Sequence, residues 1–190
     1  RNMIKMTMWN LASRRNRTFF IFEGREYTYG EVYRQSERYA DFFLAERRKL
    51  VASGRLKSDE RFSLGIYTDN VPEFLFASFG AGLSNSVLFA VNTGFRGETL
   101  AKVIDQAKIS LLLVNESTVA EVDRIVSDIS VLGRDDILFI GPKEGSGGYR
   151  TVEEAISASE GLASKDYLVP VDNFSPVIVI YTSGMTGMPK

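Results

Sequence analysis

The sequence predicts an α/β fold: a mostly parallel sheet with helices on both faces, preceded by a β-hairpin. Three observations carry this. From Phe62 onward, short apolar runs alternate with segments of helical period. The runs, such as Leu111-Leu112-Leu113-Val114, are continuous rather than alternating, which suits strands buried on both faces and therefore parallel. Ahead of them, two β-prone runs, Thr18–Phe22 and Glu26–Tyr29, flank Gly24 in the manner of a hairpin.

Each element has its own local signal. The first stretch, Arg1–Arg17, carries Arg1, Lys5, Arg14, Arg15 and Arg17 with no acid, mixed with Met3, Ile4, Met6, Met8, Trp9 and Leu11. It suits a helix packed on its own domain; peripheral contact with an anionic membrane is the second reading. After the hairpin, Thr28-Tyr29-Gly30-Glu31 has the spacing of a capping box. The helix it opens places Val32, Tyr39, Phe43 and Leu50 near one face. Arg47–Lys49 and Arg55–Arg61 form a charged tail and loop that suit solvated surface. Phe62–Tyr67 reads as a strand. Asn70 is expected to cap the next helix, with Pro72 and Glu73 in its first turn. Phe74, Ala77, Ala81 and nearby glycines would let that helix approach a sheet closely.

Ser86–Val91 is the next strand. Leu100, Val103, Ile104 and Ala107 recur at helical spacing after Gly97, and Leu111–Val114 is a strand. Thr118-Val119-Ala120-Glu121 has the capping-box spacing and precedes Val122, Ile125, Val126 and Ile129. Ile137–Ile140 is a strand. Gly141–Tyr149 is glycine-rich but lacks a G-x-G-x-x-G arrangement, and reads as a flexible surface loop. Thr151-Val152-Glu153-Glu154 caps a short helix, Ser157–Asp172 is irregular, and Pro176 introduces the final strand, Val177–Tyr181. That strand is short, continuous and β-branched, and is expected to be fully buried.

Composition removes several function classes. The chain of 190 residues is 44% hydrophobic and 25% charged, a globular balance with material for a sizeable core. A net charge of −1 argues against bulk binding of nucleic acid. With no Cys and no His, disulfides, thiolate chemistry, a Ser-His-Asp triad and histidine zinc sites are excluded within this stretch. No apolar run approaches the roughly 20 residues that span a bilayer. A cytoplasmic setting fits, with membrane association through Arg1–Arg17 as the variant.

The final strand runs into Thr182-Ser183-Gly184-Met185-Thr186-Gly187-Met188-Pro189-Lys190. Three readings are open from the residues alone. The stretch can be an ordinary turn. It can be a Walker P-loop, but that needs G-x-x-x-x-G-K-S/T, and here the glycines lie too close and Pro189 precedes the lysine. It can be a polyphosphate cradle: Gly184 and Gly187 allow amides to converge, Thr182, Ser183 and Thr186 add hydroxyl donors, and Lys190 adds a positive charge.

The string Tyr181–Lys190 resembles the phosphate-binding signature of the adenylate-forming (AMP-binding, acyl-CoA synthetase) superfamily, Thr/Ser-Ser-Gly-Thr/Ser-Thr-Gly-x-Pro-Lys. Thr182, Ser183, Gly184, Thr186, Gly187, Pro189 and Lys190 match; Met185 stands where the family carries a hydroxyl. The likeness extends to Phe22–Glu31, to Asp69–Phe74, which resembles the family's N-x-P-E-F helix start, and to Val91–Leu100. That last segment is most similar to long- and very-long-chain fatty acyl-CoA synthetases, including fatty acid transport proteins.

The resemblance implies a two-step ligation. A carboxylate reacts with Mg²⁺-ATP to give an acyl adenylate and pyrophosphate, and coenzyme A then displaces AMP. It implies ATP and phosphate binding by Thr182, Ser183, Gly184, Met185, Thr186, Gly187 and Lys190. The family's adenine-binding segment, Mg²⁺-binding glutamate, acyl pocket, hinge and second catalytic lysine lie further on than the signature. Residues 1–190 are therefore expected to be the N-terminal portion of an AMP-binding domain, ending in the phosphate loop and partnered by the rest of the enzyme. No catalytic acid, base, nucleophile or metal ligand is assigned here. The chain by itself is expected to be inactive, to bind ATP weakly and to leave an apolar sheet edge exposed. The alternative is a noncatalytic nucleotide-binding or interaction module that kept the loop, a reading to which Met185 lends some weight.

Overall fold

The computed structural model describes residues 10, 11, 13–159 and 176–181. The chain divides into two compact units, one holding residues up to Arg61 together with Val71–Ser86, the other Phe62–Asn70, Val87–Ser157 and the last strand.

The first unit starts with strands β1 (Thr18–Phe22) and β2 (Arg25–Thr28), paired antiparallel with Phe22 opposite Arg25. The two-residue turn between them has φ of 48° at Glu23 and 78° at Gly24. Positive φ at both central positions matches the twist of a tight hairpin. The Phe20 and Tyr27 rings stack with centroids 4.5 Å apart, and the Arg25 guanidinium lies 4.5 Å above Tyr27. Helix α1 (Tyr29–Ala52) begins at the predicted capping box. The Glu31 amide donates to Thr28 Oγ1 at 3.2 Å, and the Thr28 amide donates to Glu31 Oε2 at 2.7 Å. These bonds from Thr28 hold the Glu31 carboxyl below its ordinary range. Val32, Tyr39, Phe43 and Leu50 are buried, as their spacing predicts.

Helix α2 (Pro72–Leu83) departs from the sequence reading in two ways. Its cap is Val71, not Asn70, and no side chain bonds there. Pro72 occupies the first turn and forces the residue before it into extended backbone, so Val71 sits at φ −139°, ψ 150°. With no amide on Pro72, one donor needing a cap is already gone. The close approach provided by Gly80 is to helix α1 rather than to a sheet. A Cβ on Gly80 would lie 2.7 Å from Tyr39 Cβ and 3.1 Å from the Ala40 amide nitrogen.

The second unit is a six-stranded sheet in the order β7-β6-β5-β3-β4-β8, with every neighbouring pair parallel. Its strands are β3 (Ser63–Tyr67), β4 (Val87–Ala90), β5 (Leu111–Val114), β6 (Ile137–Phe139), β7 (Arg150–Thr151) and β8 (Ile178–Ile180). The helices between them are α3 (Gly97–Gln106), α4 (Val119–Ile125) and α5 (Val152–Ser157). One face packs Tyr67, Leu112, Val114, Ile137 and Phe139 with Leu100, Val103, Ile104, Val122 and Ile125 in a single apolar cluster. Alternate residues point to the opposite face, where Leu64, Leu88, Leu113 and Leu138 are also fully buried. Burial on both faces is why the strands read as unbroken apolar runs.

Several local expectations are corrected. The helix after Thr118 ends at Ile125 and tightens into a 3-10 turn over Val126–Asp128, leaving Ile129 extended. Strand β7 is only two residues long, too short for a periodicity signal. The glycine-rich segment before it lies at the surface, as expected, but it is pinned at two points. Tyr149 and Ser146 are buried, and the Arg134 guanidinium lies 4.1 Å over the Tyr149 ring. The Tyr149 hydroxyl donates to Asp123 Oδ1 at 2.9 Å, and Arg134 Nη2 donates to the Gly147 carbonyl at 2.9 Å. Burial first, and the Asp123 carboxylate next, push the Tyr149 phenol up to about 12. Strand β8 is an edge strand among the described residues, with Ile178 41% and Ile180 66% exposed, so it is not fully buried.

Candidate functional site

Thr182, Ser183, Gly184, Met185, Thr186, Gly187 and Lys190, the predicted phosphate-binding residues, lie outside the described residues. The structure does place the strand that carries them. Strand β8 pairs with β4 in the register Leu88↔Ile178, Phe89↔Val179 and Ala90↔Ile180. Because the strands are parallel, β8 leaves the sheet at the same edge as β3, β4 and β5. Ligands of open parallel sheets bind beyond that carboxyl edge. Tyr181 is the last described residue, and its ring lies against Phe89 with centroids 6.1 Å apart and planes inclined by 26°. Burial raises the Tyr181 phenol above its ordinary value.

A second group of polar side chains gathers at the same edge, and the sequence reading did not foresee it. The connections after β3 and β5 depart in opposite directions, an arrangement that often leaves a ligand crevice between the two strands. Here that position is filled. The Tyr67 hydroxyl donates to the Phe95 carbonyl at 2.7 Å and accepts from Arg96 Nη1 at 2.7 Å. Arg96 Nη1 also donates to the carbonyls of Phe95, at 2.8 Å, and Thr93. The Thr118 hydroxyl donates to the Tyr67 carbonyl at 2.6 Å. Glu121, 7% exposed, accepts from the Gly97 amide at 2.8 Å and from Arg124, with Arg96 Nε 3.8 Å away.

Thr118 and Glu121 are thus not the capping box that their spacing predicts. No side-chain cap bond forms at Thr118. Its hydroxyl joins β3 to the turn after β5, and the Glu121 carboxylate closes the N-terminus of α3, where the helix dipole favours a negative charge. Together these bonds fix the Asn92–Arg96 loop that follows β4. The signal available in the sequence was a Tyr, two Arg and a Glu near strand ends, which has no fixed spacing to recognise.

The Glu121 cluster makes a pH prediction. The Gly97 amide first, then Arg124 and Arg96, hold its carboxyl below the ordinary value of 4.5 despite burial. A depressed folded-state value means that the carboxylate stabilises the fold. That contribution is fully present above about 4.5 and is lost as pH falls below it through the folded value. Glu121→Gln is expected to lose about 1–3 kcal/mol at neutral pH, the worth of hydrogen bonds to a buried charge. In urea unfolding, the gap between wild type and variant should close as pH drops below 4.5. A gap that stays constant down to acid pH would contradict the assignment.

Among the described residues, no three His, Cys, Asp or Glu side chains converge to hold a metal ion, and no helix is long and apolar enough to cross a membrane. The membrane reading of Arg1–Arg17 rests largely on residues outside those described.

The parallel six-stranded sheet with its helices and the antiparallel hairpin make up the N-terminal subdomain fold of adenylate-forming enzymes. A solved anthranilate CoA ligase in complex with anthranoyl-AMP matches all of this chain over 33% of its own length, with TM-score 0.72 and 19% identity. A red-emitting luciferase from Phrixothrix hirtus matches 98% of this chain over 34% of its own, with TM-score 0.71 and 14% identity. The chain belongs to the AMP-binding enzyme family, whose model matches residues 8–190. It is 29% identical to the human long-chain fatty acid transport protein 6 over 90% of this chain and 26% of that protein. It is 23% identical to a crotonobetaine/carnitine–CoA ligase of Citrobacter koseri over 92% of this chain and 32% of that protein. The chain therefore spans about a quarter to a third of the length of the curated relatives it matches.

Proposed function

We propose that residues 1–190 form the N-terminal portion of the AMP-binding domain of an ATP-dependent fatty acid–CoA ligase. The observation that carries this is the family match across residues 8–190, which takes in the signature Tyr181–Lys190 on the end of a parallel strand. The names of the relatives, a fatty acid transport protein and several CoA ligases, support the choice of carboxylate and thiol.

In the proposed reaction, a carboxylate oxygen bonds to the α-phosphorus of ATP as the bond to the pyrophosphate oxygen breaks. The CoA sulfur then bonds to the acyl carbon, AMP leaves with the electrons of the broken C–O bond, and the thiol proton passes to solvent. The task of this chain is electrostatic. Negative charge grows on the departing pyrophosphate. Amides around Gly184 and Gly187, hydroxyls of Thr182, Ser183 and Thr186, and the Lys190 ammonium stabilise it without proton transfer. Such a role needs neither His nor Cys, which this chain lacks. Mg²⁺ enters as the counter-ion of ATP. The adenine pocket, the acyl pocket and the CoA site belong to the remainder of the protein. The cytoplasm, which holds ATP and CoA, is the proposed setting, with Arg1–Arg17 as a contact to anionic membrane.

The test is exchange of labelled pyrophosphate into ATP by the full-length protein, dependent on a medium- or long-chain fatty acid. No exchange with any acid of a broad panel would contradict the ligase reading and leave a noncatalytic nucleotide-binding module. Met185 gives a graded measurement in the same assay. Its thioether accepts weakly and donates nothing. If amides and the other hydroxyls hold the phosphates, Met185→Thr should improve ATP use by no more than about tenfold, roughly 1.4 kcal/mol. A gain of several hundredfold would mean that Met185 disables the loop.

A further inference from the structure

We propose that Arg96 and Arg124 form a subsite for a phosphate group at the carboxyl edge of the sheet, with Glu121 setting its charge. The groups that build it are all among the described residues; the choice of ATP and coenzyme A as the substrates that bring the phosphate rests on the ligase reading. Both guanidinium groups converge on Glu121 Oε2: Arg124 Nη2 bonds to it, and Arg96 Nε lies 3.8 Å away. The carboxylate is buried, while the Arg96 and Arg124 side chains are 55% and 73% exposed. One carboxylate between two guanidinium groups leaves an excess of one positive charge facing water. Neutralising Glu121 would need only one of them, since the Gly97 amide also donates to the carboxylate.

Each guanidinium uses only part of its fork. Arg96 bonds to the Tyr67 hydroxyl and to the Thr93 and Phe95 carbonyls through Nη1, and Arg124 bonds to Glu121 through Nη2. Arg96 Nη2 and Arg124 Nε and Nη1 make no hydrogen bond among the described residues. A planar guanidinium with free donors suits phosphate oxygens, which it can meet two at a time. Arg96 is already held at Nη1, so it has less side-chain freedom to lose when an anion arrives. The place in the fold agrees. The cluster stands at the ends of β3 and β5, whose connections depart in opposite directions, and open parallel sheets take their ligands at such a point.

The test uses the full-length protein with Arg124→Gln and Glu121→Gln, each assayed well below its unfolding midpoint. Binding of Mg-ATP, coenzyme A and inorganic phosphate is titrated separately by calorimetry. Arg124→Gln is expected to weaken binding of ATP or coenzyme A by about three- to tenfold, the scale of one charge-assisted bond at an exposed site. Glu121→Gln removes the competing negative charge and should tighten the same ligand by about fivefold. The opposite signs separate a phosphate subsite from a merely structural cluster, in which both changes would loosen the loop and weaken binding together. The ligand that responds names the source of the phosphate. Unchanged binding in Arg124→Gln overturns the inference, as does Glu121→Gln binding no more tightly than wild type. A response of inorganic phosphate alone marks an adventitious ion only and overturns it too. Wild-type protein that exchanges no pyrophosphate, while both variants shift ATP or coenzyme A binding as expected, would overturn the ligase reading and leave the subsite standing.

Discussion

Gly80→Val is expected to destabilise the fold by about 3 kcal/mol, at the upper end of overpacking costs. In a helix interior, replacing glycine normally helps, because glycine is about 1 kcal/mol worse than alanine there. Packing reverses the sign at this position. The first added carbon would meet Tyr39 Cβ at 2.7 Å and the Ala40 amide nitrogen at 3.1 Å, with the Ser36 carbonyl at 3.2 Å. Two of those three are backbone atoms of α1, and the third is the rigid root of a side chain that is itself buried. None can swing aside, so the helices must separate and uncover apolar surface at α1 and α2. Gly65 is the contrast. A Cβ there meets Ile109 Cδ1 and Leu112 Cδ1 at 2.8 Å, both side-chain ends, and Ile109 Cγ2 at 3.0 Å, with no backbone atom among the three. Gly65→Ala should therefore cost less than Gly80→Ala, although the nearest distances are almost the same. Urea unfolding of the variants checks the order. Equal midpoints for the two alanine variants, or a Gly80→Val protein as stable as wild type, would contradict the packing argument.

Gly187→Val should lower kcat/KM for ATP in the full-length protein by about a hundredfold or more, the scale of losing one donor aimed at a developing charge. In the proposed function the signature would bring amides toward one anion, which needs backbone freedom and close approach. A β-branched residue resists positive φ and would place two methyl groups where, in the proposed site, phosphate oxygens come. The effect should fall on ATP and on pyrophosphate exchange together, with the unfolding midpoint unchanged. Activity within a few-fold of wild type would mean that Gly187 lies away from the phosphates.

The pattern Thr-x-x-Glu occurs at Thr28, Thr118 and Thr151, and the three cases show how far local reading reaches. At Thr28 and Thr151 the reciprocal bonds form. At both helix starts the carboxylate is partly exposed, and the cations that also reach it, Lys143 at Glu154 and Arg25 at Glu31, do not draw it away from the cap. At Thr118 the hydroxyl is buried beside the Tyr67 carbonyl, and Glu121 faces the Gly97 amide and two arginines. A cap is worth about 1 kcal/mol. A buried carboxylate left without its charged partners loses more than that, so the distant partners win.

What the sequence determined by itself was whatever depends on neighbours along the chain. It marked the hairpin turn at Glu23-Gly24, the caps at Thr28 and Thr151, the apolar runs of the parallel sheet and the phosphate-loop signature that marks the family. These follow from φ preferences, hydrogen bonds across three residues and side-chain period, all of which are local. The tertiary structure alone decided the strand order, which pairs β8 with β4; the exposed apolar edge expected from the sequence is then, among the described residues, Ile178 and Ile180. It also decided that Gly80 serves a helix rather than a sheet, and that Tyr67, Arg96 and Glu121 meet at the end of β3. Such contacts join residues far apart in the chain, and their free energy depends on burial and on which strand lies beside which; no spacing in the sequence encodes either.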